Sequence, residues 1–255
     1  MKRILILWMA MCLAVAGMSQ TDGDSYENWF QSGNMAYNEG NYDQALSIYT
    51  QIQDAGQESV PLYYNMGNTY YKLKDYPMAI LYYEKALKLD PGNEDVRVNL
   101  EIANLAIVDK INQIPQSFLA KGWNGLKTLF STDGWAWVSV AAFALLLLCL
   151  FLFLMSRKMA WRKAGFFVGL LSLLCLAVSV AFAIGRHIDQ QQQDEAIIVT
   201  PTVTVKSSPN ASSVDLFVLH EGTKVRILDA AESWNKVKIA DGSVGWLPSD
   251  DMIAF

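Results

Sequence analysis

The chain is poor in the residues that most often perform chemistry or form cross-links. It has three cysteines and two histidines in 255 residues. Cys149 and Cys175 lie in long apolar runs and Cys12 in an apolar N-terminal run, so the polar parts of the chain contain no cysteine. Those parts therefore offer no disulfide, cysteine-ligated metal or thiol nucleophile. His187 and His220 have no ligand or nucleophile partner at a recognisable spacing, so we expect both to be surface residues.

Clustered basic residues are also missing from the polar parts. Residues 21–113 contain 14 acids and 6 bases, and residues 186–255 contain 10 acids and 6 bases. Nucleic-acid binding needs clustered lysine and arginine, so we expect no nucleic-acid partner. The sequence also has no glycine-rich phosphate loop and no catalytic constellation, which predicts a non-enzymatic protein without cofactor or metal.

What the chain does contain is an internal repeat with a period of 34 residues. Gly33 aligns with Gly67 and Ala45 with Ala79, which places small residues where two helices must approach closely. Aromatic positions repeat at the same offset, as in Trp29 with Tyr63, Tyr42 with Tyr76, and Tyr49 with Tyr83. The two segments, 26–59 and 60–93, resemble tetratricopeptide repeats, each of which is a pair of antiparallel helices.

Two such repeats cannot bury their own faces, so a further helix is expected. Residues 94–113 continue with an apolar stripe at helical spacing, formed by Val96, Leu100, Ala103, Ile107 and Ile111. Glu101 replaces the repeat glycine there, so we predict a capping helix rather than a third repeat. The repeats and this helix together form the unit predicted for residues 20–113.

The resemblance to tetratricopeptide repeats implies a concave groove lined by the first helix of each pair. The predicted partner-binding residues are Phe30, Asn34, Tyr37, Asn38, Tyr64, Asn68, Tyr71 and Lys72. Asparagine can donate to and accept from an extended peptide backbone, so Asn34 and Asn68 suit the capture of a strand-like segment. Folding does not obviously need an amide at these positions, so we expect alanine there to leave stability nearly unchanged.

Two long apolar runs predict a transmembrane hairpin. Transmembrane helices are predicted at residues 134–156 and 164–185, because about 20 apolar residues span a bilayer. The turn between them, residues 157–163, contains Arg157, Lys158, Arg162 and Lys163. Basic residues favour the cytoplasmic side, which leaves both flanking regions outside. A signal peptide is predicted at residues 1–19, where two basic residues precede a short apolar run.

Two short segments flank the hairpin. Residues 114–133 place Leu119, Trp123, Leu126 and Phe130 on one helical face. This face fits either an amphipathic helix at the membrane interface or a helix packed on the capping helix. Residues 186–195 are polar and are interpreted as a linker or a frayed helix end.

The last region, residues 196–255, has the period-two pattern of half-buried strands. Asp241-Gly242 predicts a hairpin with a type I′ turn. The region resembles bacterial SH3 domains at 204–209 TVKSSP, 221–225 EGTKV, 233–237 SWNKV and 241–247 DGSVGWL. Trp234 and Trp246 are therefore a possible ligand face, although tryptophan in so small a barrel more often belongs to the core.

The order of these parts resembles the BatE family of the Bat aerotolerance gene clusters. The predicted fold is a multidomain membrane protein with all-α tetratricopeptide hairpins, a two-helix transmembrane hairpin and a C-terminal all-β SH3-like barrel. The resemblance implies Bat-operon protein partners with von Willebrand A-type domains. We expect an inner-membrane scaffold whose two polar modules lie in the periplasm. The alternative is a cell-wall sensor whose SH3-like domain binds peptidoglycan.

Overall fold

The computed structural model describes residues 20–111, 118–192 and 194–255. The predicted signal peptide, residues 1–19, lies outside these ranges. The described residues form eight α-helices followed by seven β-strands, with a short 3-10 helix at Ser249–Asp251 before the last strand. The helical N-terminal region, the two apolar helices and the C-terminal β region follow one another in the predicted order.

Five helices form the N-terminal unit. They are α1 (Gln20–Asn38), α2 (Tyr42–Asp54), α3 (Val60–Lys72), α4 (Tyr76–Leu89) and α5 (Glu94–Ala106). The side chains of Ser59, Asp75 and Asn93 accept backbone hydrogen bonds at the starts of α3, α4 and α5. Such caps satisfy amides that have no partner within a helix. The prediction of paired helices followed by a further helix is confirmed, but α5 ends at Ala106, so Ile107 and Ile111 of the predicted apolar stripe lie outside the helix.

The repeat glycines lie where the helices of a pair cross. A Cβ atom on Gly67 would be 2.6 Å from a ring carbon of Tyr83, and one on Gly33 would be 2.5 Å from Tyr49. Both tyrosine rings are fully buried. Glycine at these positions therefore lets an aromatic ring pack directly against the backbone of the neighbouring helix.

Three helices form the apolar unit. A short helix α6 (Phe118–Lys127) precedes α7 (Thr132–Met155) and α8 (Met159–Gln191). By length and composition, α7 and α8 are compatible with crossing a membrane. The helices are joined by residues 156–158 alone, so most of the predicted turn is helical. Residues 186–191 are also helical, which is the second of the two alternatives for that segment.

Small residues mediate the contact between α7 and α8. A Cβ atom on Gly165 would be 2.9 Å from the carbonyl oxygen of Cys149. The Ser172 hydroxyl donates to the Ala142 carbonyl oxygen at 2.7 Å, and Ser139 bonds to Ser179 at 2.9 Å. Small residues and hydroxyl groups at the contact are typical of helix pairs in membranes.

Helix α6 packs against the end of this hairpin. The Trp123 ring lies 5.1 Å from the Phe182 ring, and the Trp135 indole donates to the Lys127 carbonyl oxygen. The exposed side chains of Trp123 and Leu126 are consistent with the predicted interfacial helix. Phe130 of the predicted face lies beyond the end of α6, with its ring 5.1 Å from the Trp135 ring.

The strands form one antiparallel sheet in the order β3-β2-β6-β5-β4-β1-β7. The strands are β1 (Glu195–Ile198), β2 (Thr202–Lys206), β3 (Asp215–His220), β4 (Lys224–Ala231), β5 (Trp234–Lys238), β6 (Val244–Pro248) and β7 (Met252–Ala254). Within the described part of the chain, β3 and β7 have no pairing with each other. The predicted barrel is therefore not closed.

The hairpin predicted at Asp241-Gly242 is present, but the predicted type I′ turn is wrong. Strands β5 and β6 pair with Val237 opposite Gly245. Gly242 has a φ of +91°, whereas Asp241 is not among the non-glycine residues with positive φ. A type I′ turn needs positive φ at both central residues. The Asp241 carboxylate instead accepts a hydrogen bond from the Ser243 amide at 2.8 Å.

The sheet packs against the N-terminal helices. Ile197 of β1 and Phe255 belong to the same buried cluster as Ile80 of α4. Lys224 of β4 forms a 2.8 Å ion pair with Glu84 of α4. Gly222 approaches so closely that a Cβ atom there would collide with Ile107. The two polar units are thus in direct contact.

Candidate functional site

The concave side of the helical unit contains a repeated hydrogen-bond unit, here called the asparagine unit. The Asn34 side-chain oxygen accepts from the Tyr49 hydroxyl at 2.7 Å and from the Asn65 amide at 2.8 Å. One repeat later, the Asn68 oxygen accepts from Tyr83 and Asn99, both at 2.8 Å. Each unit therefore joins three successive helices.

These bonds correct the expectation that folding does not need the two asparagines. Each amide oxygen accepts a hydrogen bond from a buried tyrosine, and removing it would leave that hydroxyl unpaired. A buried donor without a partner costs about 1–3 kcal/mol. Asn34 and Asn68 thus contribute to stability as well as to the groove surface.

A cavity of about 300 Å³ lies beside the second asparagine unit. Its lining consists of Tyr37, Tyr64, Asn68, Tyr71, Lys72, Tyr83, Asn99 and Ile102. Five of the eight predicted partner-binding residues, Tyr37, Tyr64, Asn68, Tyr71 and Lys72, are therefore brought together. Helices α1, α3, α4 and α5 all contribute to this cavity, which we call the groove.

The other three predicted residues do not line the groove cavity. Phe30 is half-buried, with its ring 6.0 Å from the Tyr49 ring. Asn34 belongs to the first asparagine unit. Asn38 is exposed near the end of α1. The cavity is thus centred on the second repeat and the capping helix.

Three lining residues were missed by the sequence analysis: Tyr83, Asn99 and Ile102. The signal that finds two of them is the 34-residue offset applied once more to α3, which places Asn99 opposite Asn65 and Ile102 opposite Asn68. It maps Tyr64, Asn68 and Tyr71 of α3 onto Val98, Ile102 and Leu105 of α5. All three α5 side chains are exposed, and Leu105 is 76% exposed. The capping helix therefore extends the concave surface with an apolar stripe.

The groove offers hydrogen-bond donors to a ligand, because acceptor oxygens that line it already bond to other side chains of the protein. The Asn68 oxygen and the Tyr64 hydroxyl oxygen both accept bonds from Asn99. Among the described residues, the Asn68 amide nitrogen has no partner, and it can donate to a ligand. Burial, followed by the neighbouring Tyr42 and Tyr64, raises the pKa of Tyr37, which keeps its hydroxyl protonated. The groove thus suits a ligand rich in hydrogen-bond acceptors.

The second predicted site, Trp234 and Trp246, lies on adjacent strands of the sheet. Lys236 pairs with Trp246 and Trp234 pairs with Pro248, so all four side chains share one face. The buried Val237 and Leu247 lie on the opposite face. The Lys236 ammonium lies 6.0 Å from the centre of the Trp246 ring. Both tryptophans are half-buried, and they lie on the face away from the buried core.

The histidines have different surroundings. His187 is exposed, and its ring bonds to Gln191 one turn later. His220 is not the simple surface residue that we expected, because its ring and its backbone amide both bond to Asp109 at 2.8 Å. Within the described ranges, no group of three or more His, Cys, Asp or Glu could hold a metal ion.

Comparison with known proteins supports the repeat assignment for part of the chain. The family model of the tetratricopeptide repeat matches residues 60–93. A similar region occurs in the Homo sapiens protein described as Tetratricopeptide repeat protein 12, with 35% identity over 77 residues. The match covers 30% of this chain and only 11% of the human protein. It therefore bears on the repeats and not on the rest of the molecule.

Proposed function

We propose that this protein is a non-enzymatic, membrane-anchored scaffold that binds an extended segment of a partner protein in its groove. The observation that supports this most directly is the cavity between α1, α3, α4 and α5, where donors from Asn68 and Lys72 lie beside tyrosine rings. Tetratricopeptide repeats generally mediate protein–protein interactions. Backbone carbonyl groups of an extended segment would accept from these donors.

The apolar stripe on α5 adds a second feature to the proposed ligand. Ile102 lines the cavity, and Val98 and Leu105 lie on the same stripe of α5; all three side chains are exposed. Burying one large apolar side chain contributes about 1.5–3 kcal/mol. The proposed segment therefore combines a polar backbone contact at α3 with an apolar side chain at α5.

A photo-crosslinking amino acid in place of Leu105 tests this proposal in intact membranes. We expect a specific protein adduct from position 105 and none from position 51 on α2, where Gln51 is exposed. Lys72→Glu should abolish that adduct, whereas Lys74→Glu, with the same charge change two residues away, should not. Identical adducts from positions 105 and 51, or an adduct from position 105 that is unaffected by Lys72→Glu, would argue against the groove as the binding site.

The location and the partners in this proposal rest on the resemblance to the BatE family. We propose that the repeats and the sheet lie in the periplasm, in an aerotolerance-related envelope complex with Bat-operon proteins that have von Willebrand A-type domains. The basic residues between α7 and α8 and the order of the parts along the chain support this proposal. Identification of the position-105 adduct by mass spectrometry tests the class of partner.

A second candidate function, a cell-wall sensor, is favoured by the placement of the two tryptophans. Trp234, Lys236 and Trp246 share one face of the sheet, away from the buried side chains. Aromatic rings with a nearby ammonium group can stack on sugar rings and bond to peptide carboxylates. Sedimentation with purified sacculi is the test: a sensor should sediment and lose this property in Trp246→Ala. A scaffold without wall affinity should remain in the supernatant.

A further inference from the structure

A polar cavity lies where α4, α6, α8 and β4 meet. Its volume is about 530 Å³, within the range of about 300–1,000 Å³ that is usual for small-ligand sites. Five basic and four acidic side chains are among its lining residues. The cavity lies away from the groove and from the tryptophan face.

Three of the five basic side chains form ion pairs with all four acids. These pairs are Lys127–Asp189 at 2.5 Å, Lys224–Glu84 and Lys224–Glu195 at 2.8 Å, Arg226–Asp194 at 3.8 Å and Arg226–Glu195 at 3.6 Å. No carboxylate of the lining is left without a basic partner. Any further basic group in this cavity therefore needs a counter-ion from elsewhere.

Arg186 and Lys88 are the remaining two basic groups. Arg186 is only 5% exposed, and its single hydrogen bond among the described residues runs from Nη2 to the Lys88 carbonyl oxygen at 3.1 Å. Its Nε atom is buried without a partner. Among the described residues, neither Arg186 nor Lys88 forms an ion pair. The Lys88 ammonium donates a hydrogen bond to the Gln192 carbonyl oxygen and lies 5.7 Å from the centre of the Phe255 ring.

Arg186 is a buried guanidinium group without an ion-pair partner, and the nearby carboxylates of Asp189 and Asp90 only partly offset the cost of its burial. Arginine stays protonated in proteins, so it cannot escape the cost of burial by losing its charge. Burial also lowers the pKa of Lys88, and the nearby Asp194 and Glu195 only partly offset this effect. An anion in the cavity would compensate both cations.

The location of the cavity indicates the source of that anion. Arg186 directly follows the predicted membrane-spanning run 164–185, and Lys127 belongs to the amphipathic helix α6. Trp123 and Leu126 of α6 are more than half exposed beside the hairpin. This is the depth at which lipid headgroups lie when α7 and α8 span a bilayer. We propose that Arg186 and Lys88 bind the phosphate group of a phospholipid in this cavity.

Three ligands distinguish the phosphate from the acyl chains. The full chain, purified in a phosphate-free maltoside detergent, is titrated by calorimetry with dioctanoyl phosphatidic acid, dioctanoyl glycerol or inorganic phosphate. We expect saturable binding of phosphatidic acid and much weaker binding of the other two. Equal binding of the phospholipid and the glyceride would overturn the phosphate site. Equal binding of the phospholipid and inorganic phosphate would overturn the lipid as its source.

The variants separate anion binding from a purely structural role. Arg186→Gln should weaken phosphatidic acid binding by about tenfold or more, because a charge-assisted bond is lost. Lys88→Gln should have a similar effect while leaving the Arg186 contact to the backbone of residue 88 in place. Gln190→Ala is the structural control, since Gln190 donates to the carbonyl oxygens of Lys88 and Leu89 without a charge. It should bind as the unchanged protein does.

Arg157→Gln is the electrostatic control, because Arg157 is exposed beside the hairpin turn and far from this cavity in the chain. Its binding should also be unchanged. Circular dichroism establishes that each variant is folded before titration. If Arg186→Gln unfolds, Lys88→Gln decides the question. Folded Lys88→Gln protein with unchanged affinity, or equal losses in Gln190→Ala and Arg186→Gln, would overturn the proposal.

Discussion

At the scale of single residues, the polarity of the groove depends on which atoms the fold has already used. The amide oxygen of Asn68 accepts from Tyr83 and Asn99, so only its nitrogen remains for a ligand. The sequence shows that asparagine recurs after 34 residues. It does not show which end of the amide faces the groove, because that depends on a tyrosine 15 residues away.

Asn68→Ala should therefore destabilise the helical unit. The substitution removes the acceptor of the buried Tyr83 hydroxyl, which should lower the free energy of unfolding by about 1–3 kcal/mol. Denaturant titration of the full chain in micelles, followed by circular dichroism, measures this change. Asn38→Ala is the matched control, since Asn38 is exposed and its side chain has no hydrogen bond to a described residue. A stable Asn68→Ala variant would show that the asparagine unit contributes nothing.

At the scale of secondary-structure elements, the periodicity of the sequence predicted the helices and the β region but not the contacts between residues distant in the chain. The helix pairs, the two apolar helices and the β character of residues 196–255 were predicted, because each depends on the spacing of nearby residues. The open sheet and the contact between Asp109 and His220 were not, since the latter joins residues 111 positions apart. The packing of α6 on Phe182 was also missed, because it likewise depends on residues distant in the chain.

The crossing of α3 and α4 should not tolerate a methyl group. Gly67→Ala would place Cβ 2.6 Å from the ring of Tyr83, which is buried. Overpacking of this kind costs about 1–3 kcal/mol. Gly122→Ala is the control within α6, where a Cβ atom would meet nothing within 4 Å. We expect a lower melting temperature for Gly67→Ala alone, and equal temperatures for both variants would contradict this account.

The contact between the helical unit and the sheet should depend on pH. Burial of Asp109 would raise its pKa, but hydrogen bonds from the His220 backbone, the His220 ring and Thr223 outweigh burial and lower it. The folded carboxyl group thus has a lower pKa than the unfolded one. Its stabilising effect is complete above the unfolded pKa and is lost as the pH falls through the lowered value.

The variant Asp109→Asn tests the direction of this pH dependence. The unchanged protein should be more stable than the variant at pH 7, by about 1–3 kcal/mol if the bonds to the carboxylate behave as usual. The difference should shrink below about pH 4, where aspartate takes up a proton. Thermal unfolding of both proteins across this range measures the difference. A gap that stays constant with pH would mean that the charge of Asp109 plays no part.

At the scale of the whole molecule, the repeats and the sheet meet at one end of the hairpin. Arg186 and Gln190, near the end of α8, donate to carbonyl oxygens at the end of α4. The basic residues lie at the other end, around the short connection between α7 and α8. This arrangement requires both polar units to occupy the same side of any membrane that the hairpin crosses.

The charge distribution then predicts which side that is. Arg157, Lys158, Arg162 and Lys163 cluster at the hairpin turn, and basic loops remain on the cytoplasmic side. A fluorescent protein that matures only in the cytoplasm should be bright when inserted near Met159 and dark when fused after Phe255. Replacing the four basic residues with glutamine should weaken this preference and produce mixed orientations. A bright fusion after Phe255 in the unchanged protein would reverse the orientation and place the groove and the tryptophan face in the cytoplasm.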